Sequence, residues 1–230
     1  MKGMSPQEAN APETHPAPGG RLPGVVNELP LRERKKLRTR EALVETALAL
    51  FSEKGFAAVT LDELVAAVEV SKRTFFRTFA SKEDVALAPE KELWRAYAER
   101  IEARPLTGPL LTTLQDTLFA SVADMADGWE RRFRASRALA DRTPALTAHS
   151  LRHCADVTDA LVASVASRHP ADELRVRLLF ELMLAAWRHA LKEWAGQPGD
   201  PGRDALRSRT REAFDAIPEV AELARGTAGD

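Results

Sequence analysis

The chain has 230 residues, 44 % hydrophobic and 29 % charged, with a formal net charge of −1. That is ample for a packed core, and the near-neutral total excludes a binder that is basic overall. One cysteine, Cys154, excludes an intrachain disulfide framework and fits a reducing cytoplasm, and no 18-residue apolar run exists to span a membrane.

Residues 1–30 hold six prolines and four glycines and lack the apolar core of a signal peptide. They read as a disordered leader with no assigned function. Residues 31–40, LRERKKLRTR, carry six basic side chains and one acid. A helical pattern begins here or just after. Leu43, Ala47, Leu50 and Phe51 form its apolar stripe, and Gly55 ends it as a C-cap. A basic arm containing Arg38 and Arg40 in this position can follow a DNA backbone or enter a minor groove. A solvated charge run is the plainer alternative.

Residues 60–82 read as two short helices joined by a tight turn, with a third helix starting at the end. Thr60 is placed to cap the first, and Glu63 three residues on completes a capping box. Leu61, Leu64, Val65 and Val68 share one face. Glu69 and Val70 make the turn, Ser71 caps the second helix, and Ser81 caps the third with Asp84 three residues later. In the second helix Phe75 and Phe79 point inward, which leaves Lys72, Arg73, Thr74, Arg77 and Thr78 outward. Such a face suits a DNA groove. Arginine can bond guanine edges in a bidentate way, threonine can bond bases or touch a thymine methyl, and lysine seats on phosphate, a role expected of Lys82 as well. The alternative is a helical hairpin with a solvated basic face. Charge distribution favours DNA, because residues 31–82 carry 11 Lys/Arg against 7 Asp/Glu while residues 83–230 carry 20 against 24.

These stretches together resemble the TetR family of transcriptional regulators. The resemblance rests on Thr39-Arg40, Ala47, Leu50-Phe51, Gly55, Thr60, Val70-Ser71-Lys72, Thr74-Phe75-Phe76, Phe79 and Ser81-Lys82-Glu83, and covers about residues 38–84. It implies double-stranded DNA as partner, with contacts from Arg38, Arg40, Thr60, Ser71, Lys72, Arg73, Thr74, Phe76, Arg77, Thr78 and Lys82. Four positions depart from the family pattern. Glu69 stands where glycine is usual at the turn, Arg73 where glycine is frequent, Phe76 where tyrosine is usual, and Thr78 where histidine is frequent. Phe76 has no hydroxyl to offer a phosphate. The run Arg73-Thr74-Phe75-Phe76-Arg77 with the later Glu92-Leu93-Trp94 is similar to actinobacterial regulators typified by the mycofactocin-locus regulator, which implies long-chain acyl-CoA as a ligand class.

Residues 82–104 form a connecting helix in which Pro89 should cause a kink or break. Further helices are expected over 110–127, 129–142, 145–168, 171–195 and 204–217, the last ended by Pro218. The whole is all-α, about nine helices, with an N-terminal three-helix helix-turn-helix domain and a larger helical body. The expected division is a leader over 1–30, a DNA-binding domain over 31–82 and a ligand-binding and dimerisation domain over 83–224. The resemblance implies that 172–195 and 204–217 make a homodimer and that the body holds a small apolar or amphipathic ligand. Trp94, Phe119, Met125, Phe133, Phe180, Met183 and Trp187 are the side chains suited to line such a pocket, with ordinary core packing as the alternative. Arg131, Arg132, Arg134 and Arg137 can meet an anionic head group or simply face solvent. His149, His153 and Cys154 lack a third partner for a metal, so no metal or cofactor is expected. No nucleophile elbow, phosphate loop or acid pair suggests an enzyme. The expected function is a cytoplasmic repressor released from a palindromic operator by its ligand. An activator, or a helical adaptor with a vestigial head, is the alternative.

Overall fold

The computed structural model describes residues 30–225, so apart from Pro30 the leader expected over 1–30 lies outside the described residues. Among the described residues there is no strand, and eleven helices follow one another: α1 Leu31–Lys54, α2 Leu61–Ala67, α3 Lys72–Thr78, α4 Lys82–Ala86, α5 Ala88–Ala103, α6 Leu110–Ala123, α7 Trp129–Asp141, α8 Pro144–Ala166, α9 Glu173–Ala195, α10 Arg203–Asp215 and α11 Ile217–Arg225. No helix among the described residues is long and apolar enough to cross a membrane.

Two breaks account for the helices beyond the expected nine. At the first, Pro89 has no N–H for the Val85 carbonyl, so a continuous helix over 82–104 would leave that group unpaired. The chain breaks at Leu87 (φ −99°, ψ 10°), and Pro89 falls in the first turn of α5, where no N–H is needed. The same logic corrects the expected end at Pro218. The chain breaks at Ala216, and Pro218 lies in the first turn of α11 instead of ending α10. The helix expected over 110–127 stops at Ala123. Met125 lies in the turn that follows, and Gly128 opens α7 in the left-handed region (φ 73°).

The buried side chains form two clusters. The first joins Leu43, Leu48 and Phe51 of α1 to Leu64, Phe75, Phe79 and Val85, and takes in Leu139 and Ala140 from α7 and Leu146 from α8. The second fills the helical body, with Trp94, Tyr97 and Ile101 of α5 packed among Leu118, Trp129, Phe133, Phe180 and Trp187. Burying each such aromatic or leucine side chain stabilises the fold by roughly 1.5–3 kcal/mol.

Candidate nucleic-acid interface and ligand cavity

The interface begins with three capped helices. Thr60 Oγ1 accepts from the Glu63 N–H at 3.1 Å, Ser71 Oγ from the Thr74 N–H at 3.1 Å, and Ser81 Oγ from the Asp84 N–H at 3.2 Å. The box at Thr60 is half formed, because the Glu63 carboxylate turns to the Lys54 ammonium instead of to the Thr60 N–H. Between α2 and α3, Glu69 has φ 55°, the one positive φ outside glycine among the described residues. The Val70 N–H reaches the Val65 carbonyl at 3.0 Å and the Glu69 N–H reaches the Ala66 carbonyl at 3.1 Å. This is the double bond pattern of a glycine-terminated helix, with glutamate in the glycine's place.

α3 divides as its sequence suggests except at Thr74 and Thr78, which are half-buried where an outward position is expected. Phe75 and Phe79 are buried, while Lys72, Arg73, Phe76 and Arg77 are exposed, Phe76 at 56 %. Arg73 and Arg77 make no hydrogen bond or ion pair among the described residues. Lys72 pairs with Asp62 at 2.7 Å, both well exposed. Ser71 Oγ and Thr74 Oγ1 are 3.1 Å apart, and the half-buried Thr78 donates its hydroxyl to the Thr74 carbonyl at 3.0 Å. Arg38 is exposed on α1, and the basic run 31–40 lies within that helix from Leu31 on.

Lys82 and Arg40 both turn to partners within the protein. Lys82 Nζ donates to the Phe56 carbonyl at 3.0 Å and to the Val59 carbonyl, over the Phe56 ring, and so clamps the loop between α1 and α2. Arg40 lies over the Phe79 ring at 4.5 Å and donates to Glu92 Oε1 at 3.3 Å.

Behind α3 the chain is tied to the body through the α4–α5 break. Asp84 Oδ2 accepts from the Ala80 N–H, just past α3, at 2.9 Å. Its other oxygen holds Lys91 Nζ at 2.5 Å, and Lys91 lies 3.1 Å from His149 Nε2 on α8. Burial alone would raise the Asp84 carboxyl, but the Lys91 ammonium and the Ala80 N–H hold it below its ordinary value. α7 grips the same break. Ser136 Oγ donates to the Ala86 carbonyl at 2.6 Å, and Trp129 Nε1 donates to the Pro89 carbonyl at 2.9 Å.

Beside this junction a cavity of about 420 Å³ is lined by residues of α5, α7, α8 and α9. Trp94 and Trp187, ring centroids 6.3 Å apart, form part of its wall. Glu90, only 5 % exposed, lines it and is met by Ser150 Oγ at 2.9 Å, Arg137 Nη1 at 3.3 Å and the Cys154 thiol at 3.6 Å. Burial, and then the Glu90 charge, push the Cys154 thiol up to about 12. The sequence marks Trp94, Trp187, Arg137 and Cys154 but not Glu90, Ser150 or the cavity-lining Arg188 and Lys192. A signal existed: Glu90 falls on the stripe Trp94, Tyr97, Ile101, where an acid is out of place. Phe133, Phe180 and Met183 are packed in the core at 1 % exposure, Phe119 stacks near Phe214, and the half-buried Met125 packs against the same core. Arg131 and Arg132 face Glu45, and Arg134 caps the end of α9 by donating to the carbonyls of Ala195 and Gln197.

Comparison with known proteins agrees with this arrangement. The profile of the bacterial regulatory proteins of the tetR family matches residues 43–88, and that of the MftR C-terminal domain matches residues 109–219. The HTH-type transcriptional regulator TcmR of Streptomyces glaucescens is 33 % identical over 94 % of this chain and 96 % of its own. Two solved structures share the fold. SmeT, the repressor of the multidrug efflux pump SmeDEF of Stenotrophomonas maltophilia, has a TM-score of 0.51 at 17 % identity, covering 79 % of this chain and 89 % of its own. A TetR/AcrR-type regulator from Aquifex aeolicus has a TM-score of 0.50 at 18 % identity, covering 78 % and 99 %. The chain therefore belongs to the TetR family of helix-turn-helix, DNA-binding transcriptional regulators, which are not enzymes.

Proposed function

We propose that this regulator is a cytoplasmic, homodimeric repressor that leaves a palindromic operator when a small apolar or amphipathic ligand enters the body. Residues 31–82 act as the DNA-binding domain and 83–224 as the ligand-binding and dimerisation domain. The observation that carries the reading is α3, where Arg73 and Arg77 stand exposed without a hydrogen bond or ion pair among the described residues, beside the exposed Phe76, on a segment anchored from behind by Phe75 and Phe79. Arg73, Thr74 and Arg77 read base edges, while Arg38 and Lys72 contact phosphate. Thr60, Ser71 and Thr78 serve the interface chiefly as caps and braces. Lys82 and Arg40 hold its shape.

A dimer follows from two supports. One recognition helix gives too few base contacts, and two helices one turn or a multiple apart read an inverted repeat. Leu174, Leu178 and Leu182 on successive turns of α9 are 67 %, 55 % and 40 % exposed, an apolar stripe that a second α9 would cover. The stripe runs on into an apolar groove of about 530 Å³ lined by Ala185, Ala186, Ile217 and Val220.

The ligand works by differential affinity. Binding in the cavity favours a body state in which the α4–α5 junction moves, and with it Ala80 and α3. Repression is lifted only to the extent that the ligand prefers the DNA-incompetent state. Long-chain acyl-CoA is the first ligand class to test, given the MftR-type C-terminal match. A cavity of about 420 Å³ holds a drug-sized molecule, so the acyl portion alone would enter it.

The test is an anisotropy titration on duplex DNA flanking the protein's own gene, with and without palmitoyl-CoA. Specific binding that the thioester releases supports both parts. Binding that ignores it retains the repressor and removes acyl-CoA. Failure to bind any duplex at moderate salt contradicts the DNA-binding assignment.

A further inference from the structure

We infer that the cavity between α5, α7, α8 and α9 takes an amphipathic aromatic acid, its flat body against the two indoles and its anionic group at the opening. The inference rests on the ligand cavity proposed above and narrows its small amphipathic occupant to an aromatic class that competes with the acyl chain.

Three features carry it. The first is the floor. Glu90 is 5 % exposed and bonded to Ser150, Arg137 and Cys154, so its charge is met by protein. A ligand cation is therefore not called for there, and what the floor offers is neutral hydrogen bonding. Arg137 is also spoken for, since its other terminal nitrogen donates to Asp141 at 3.2 Å.

The second feature is the opening. Arg188 and Lys192 line the cavity one turn apart on α9, and both are exposed. Neither makes a hydrogen bond or an ion pair among the described residues. Of the two acids on the lining, Glu90 and Asp141, each is already met by Arg137. The opening thus carries two uncommitted cations and no uncommitted anion. An acidic group placed between them gains attraction at both, and an amine would be repelled.

The third feature is the wall. Trp94 and Trp187, each 3 % exposed, line the cavity and meet edge to face at 74°, beside Leu184 and Leu191. Two indoles favour a flat π-system over a saturated chain of equal size, because an aromatic ring gains from offset or edge contacts beyond its buried area.

The test uses the full-length protein and a matched pair of fluorescent probes: N-phenyl-1-naphthylamine, which is neutral, and 1-anilinonaphthalene-8-sulfonate, the same skeleton with an anionic group. The sulfonate is expected to bind roughly tenfold more tightly at low salt. The double variant Arg188→Gln/Lys192→Gln, at two exposed positions, should remove that advantage and leave the neutral probe unchanged. Leu151→Trp fills the cavity from an exposed lining position and should abolish binding of both. In competition, 1-naphthoate should displace the sulfonate probe at lower concentration than decanoate. If the neutral probe binds, is lost in Leu151→Trp, and yet the sulfonate binds no better, the acidic class is wrong while the cavity stands. Decanoate competing as well as naphthoate overturns the aromatic part. No probe binding, or binding that survives Leu151→Trp, overturns the cavity reading and this inference together.

Discussion

Asp84 and Lys91 are 2.5 Å apart across the break between α4 and α5, and each has a second commitment, Asp84 to the Ala80 N–H behind α3 and Lys91 to His149 on α8. Their side chains are 21 % and 24 % exposed, so the pair is shielded enough to matter and wet enough not to carry a large desolvation penalty. Replacing Lys91 by Met should lower unfolding stability by about 1–2 kcal/mol. It should also reduce the ligand's effect on DNA affinity more than DNA affinity itself. Urea denaturation and paired operator titrations check both, and a variant with full ligand response would separate this link from the coupling.

Arg77→Ala and Thr74→Ala should each weaken specific operator binding by about 1–3 kcal/mol and leave binding to unrelated duplex nearly unchanged. Arg73→Ala should behave as Arg77→Ala does. Anisotropy on specific and scrambled duplexes gives the comparison. Unchanged operator affinity in all three would mean that another face of the protein meets DNA.

Lys82→Ala should destabilise the helix-turn-helix, not flatten the salt dependence of DNA binding. Two carbonyl contacts of an ammonium would be lost, at a cost of about 1.5–3 kcal/mol. Thermal melts and the slope of log affinity against log salt distinguish the roles, and a lower slope with an unchanged melting temperature would restore the phosphate contact.

Glu69→Gly should stabilise the protein by about 0.5–1 kcal/mol. The left-handed conformation at φ 55° strains a side chain and not glycine, and the gain is trimmed by glycine's greater freedom when unfolded. No gain in urea midpoint would mean that the glutamate makes up its strain elsewhere.

His153 supplies a pH dependence. Burial first, then the Lys91 ammonium, hold its imidazole below the ordinary value, outweighing the nearby Glu90 and Asp156 carboxylates, and its Nε2 is buried without a partner. A folded value below the unfolded one means that the unfolded chain binds more protons. Stability should therefore fall as pH drops through the unfolded histidine range near 6.5 toward the depressed folded value. Denaturation at pH 7.5 and 5.5 should show a smaller loss in His153→Gln than in the native chain, and an equal loss would assign the dependence to other groups.

What was legible in the sequence was what depends on near neighbours. The caps at Thr60, Ser71 and Ser81 need only the residue three positions on, and the burial of Phe75 and Phe79 follows from helical spacing. The inward contacts of Lys82 and Arg40 were not legible for the opposite reason. Their partners lie 23 to 52 residues away, and a cation drawn inward by carbonyls, rings and a distant carboxylate looks the same in sequence as one facing phosphate. Pro89 reads as a break, yet Pro218 does not read as a start, because proline serves both purposes and the tie is broken by what lies after it. Apolar residues suited to a pocket were recognisable as a class. Which of them face the cavity depends on how α5, α8 and α9 pack, so Phe133 and Phe180 went to the core and Glu90 went unnoticed.

The most direct measurement is selection of duplexes from a random library by the full-length protein without ligand, followed by sequencing. An inverted repeat is expected whose half-site centres are about 34 Å or a multiple apart, lost when Arg73 and Arg77 are both replaced by alanine. An enriched site without two-fold symmetry would contradict the dimeric reader, and no enrichment, or enrichment that survives the double variant, would contradict the role given to α3.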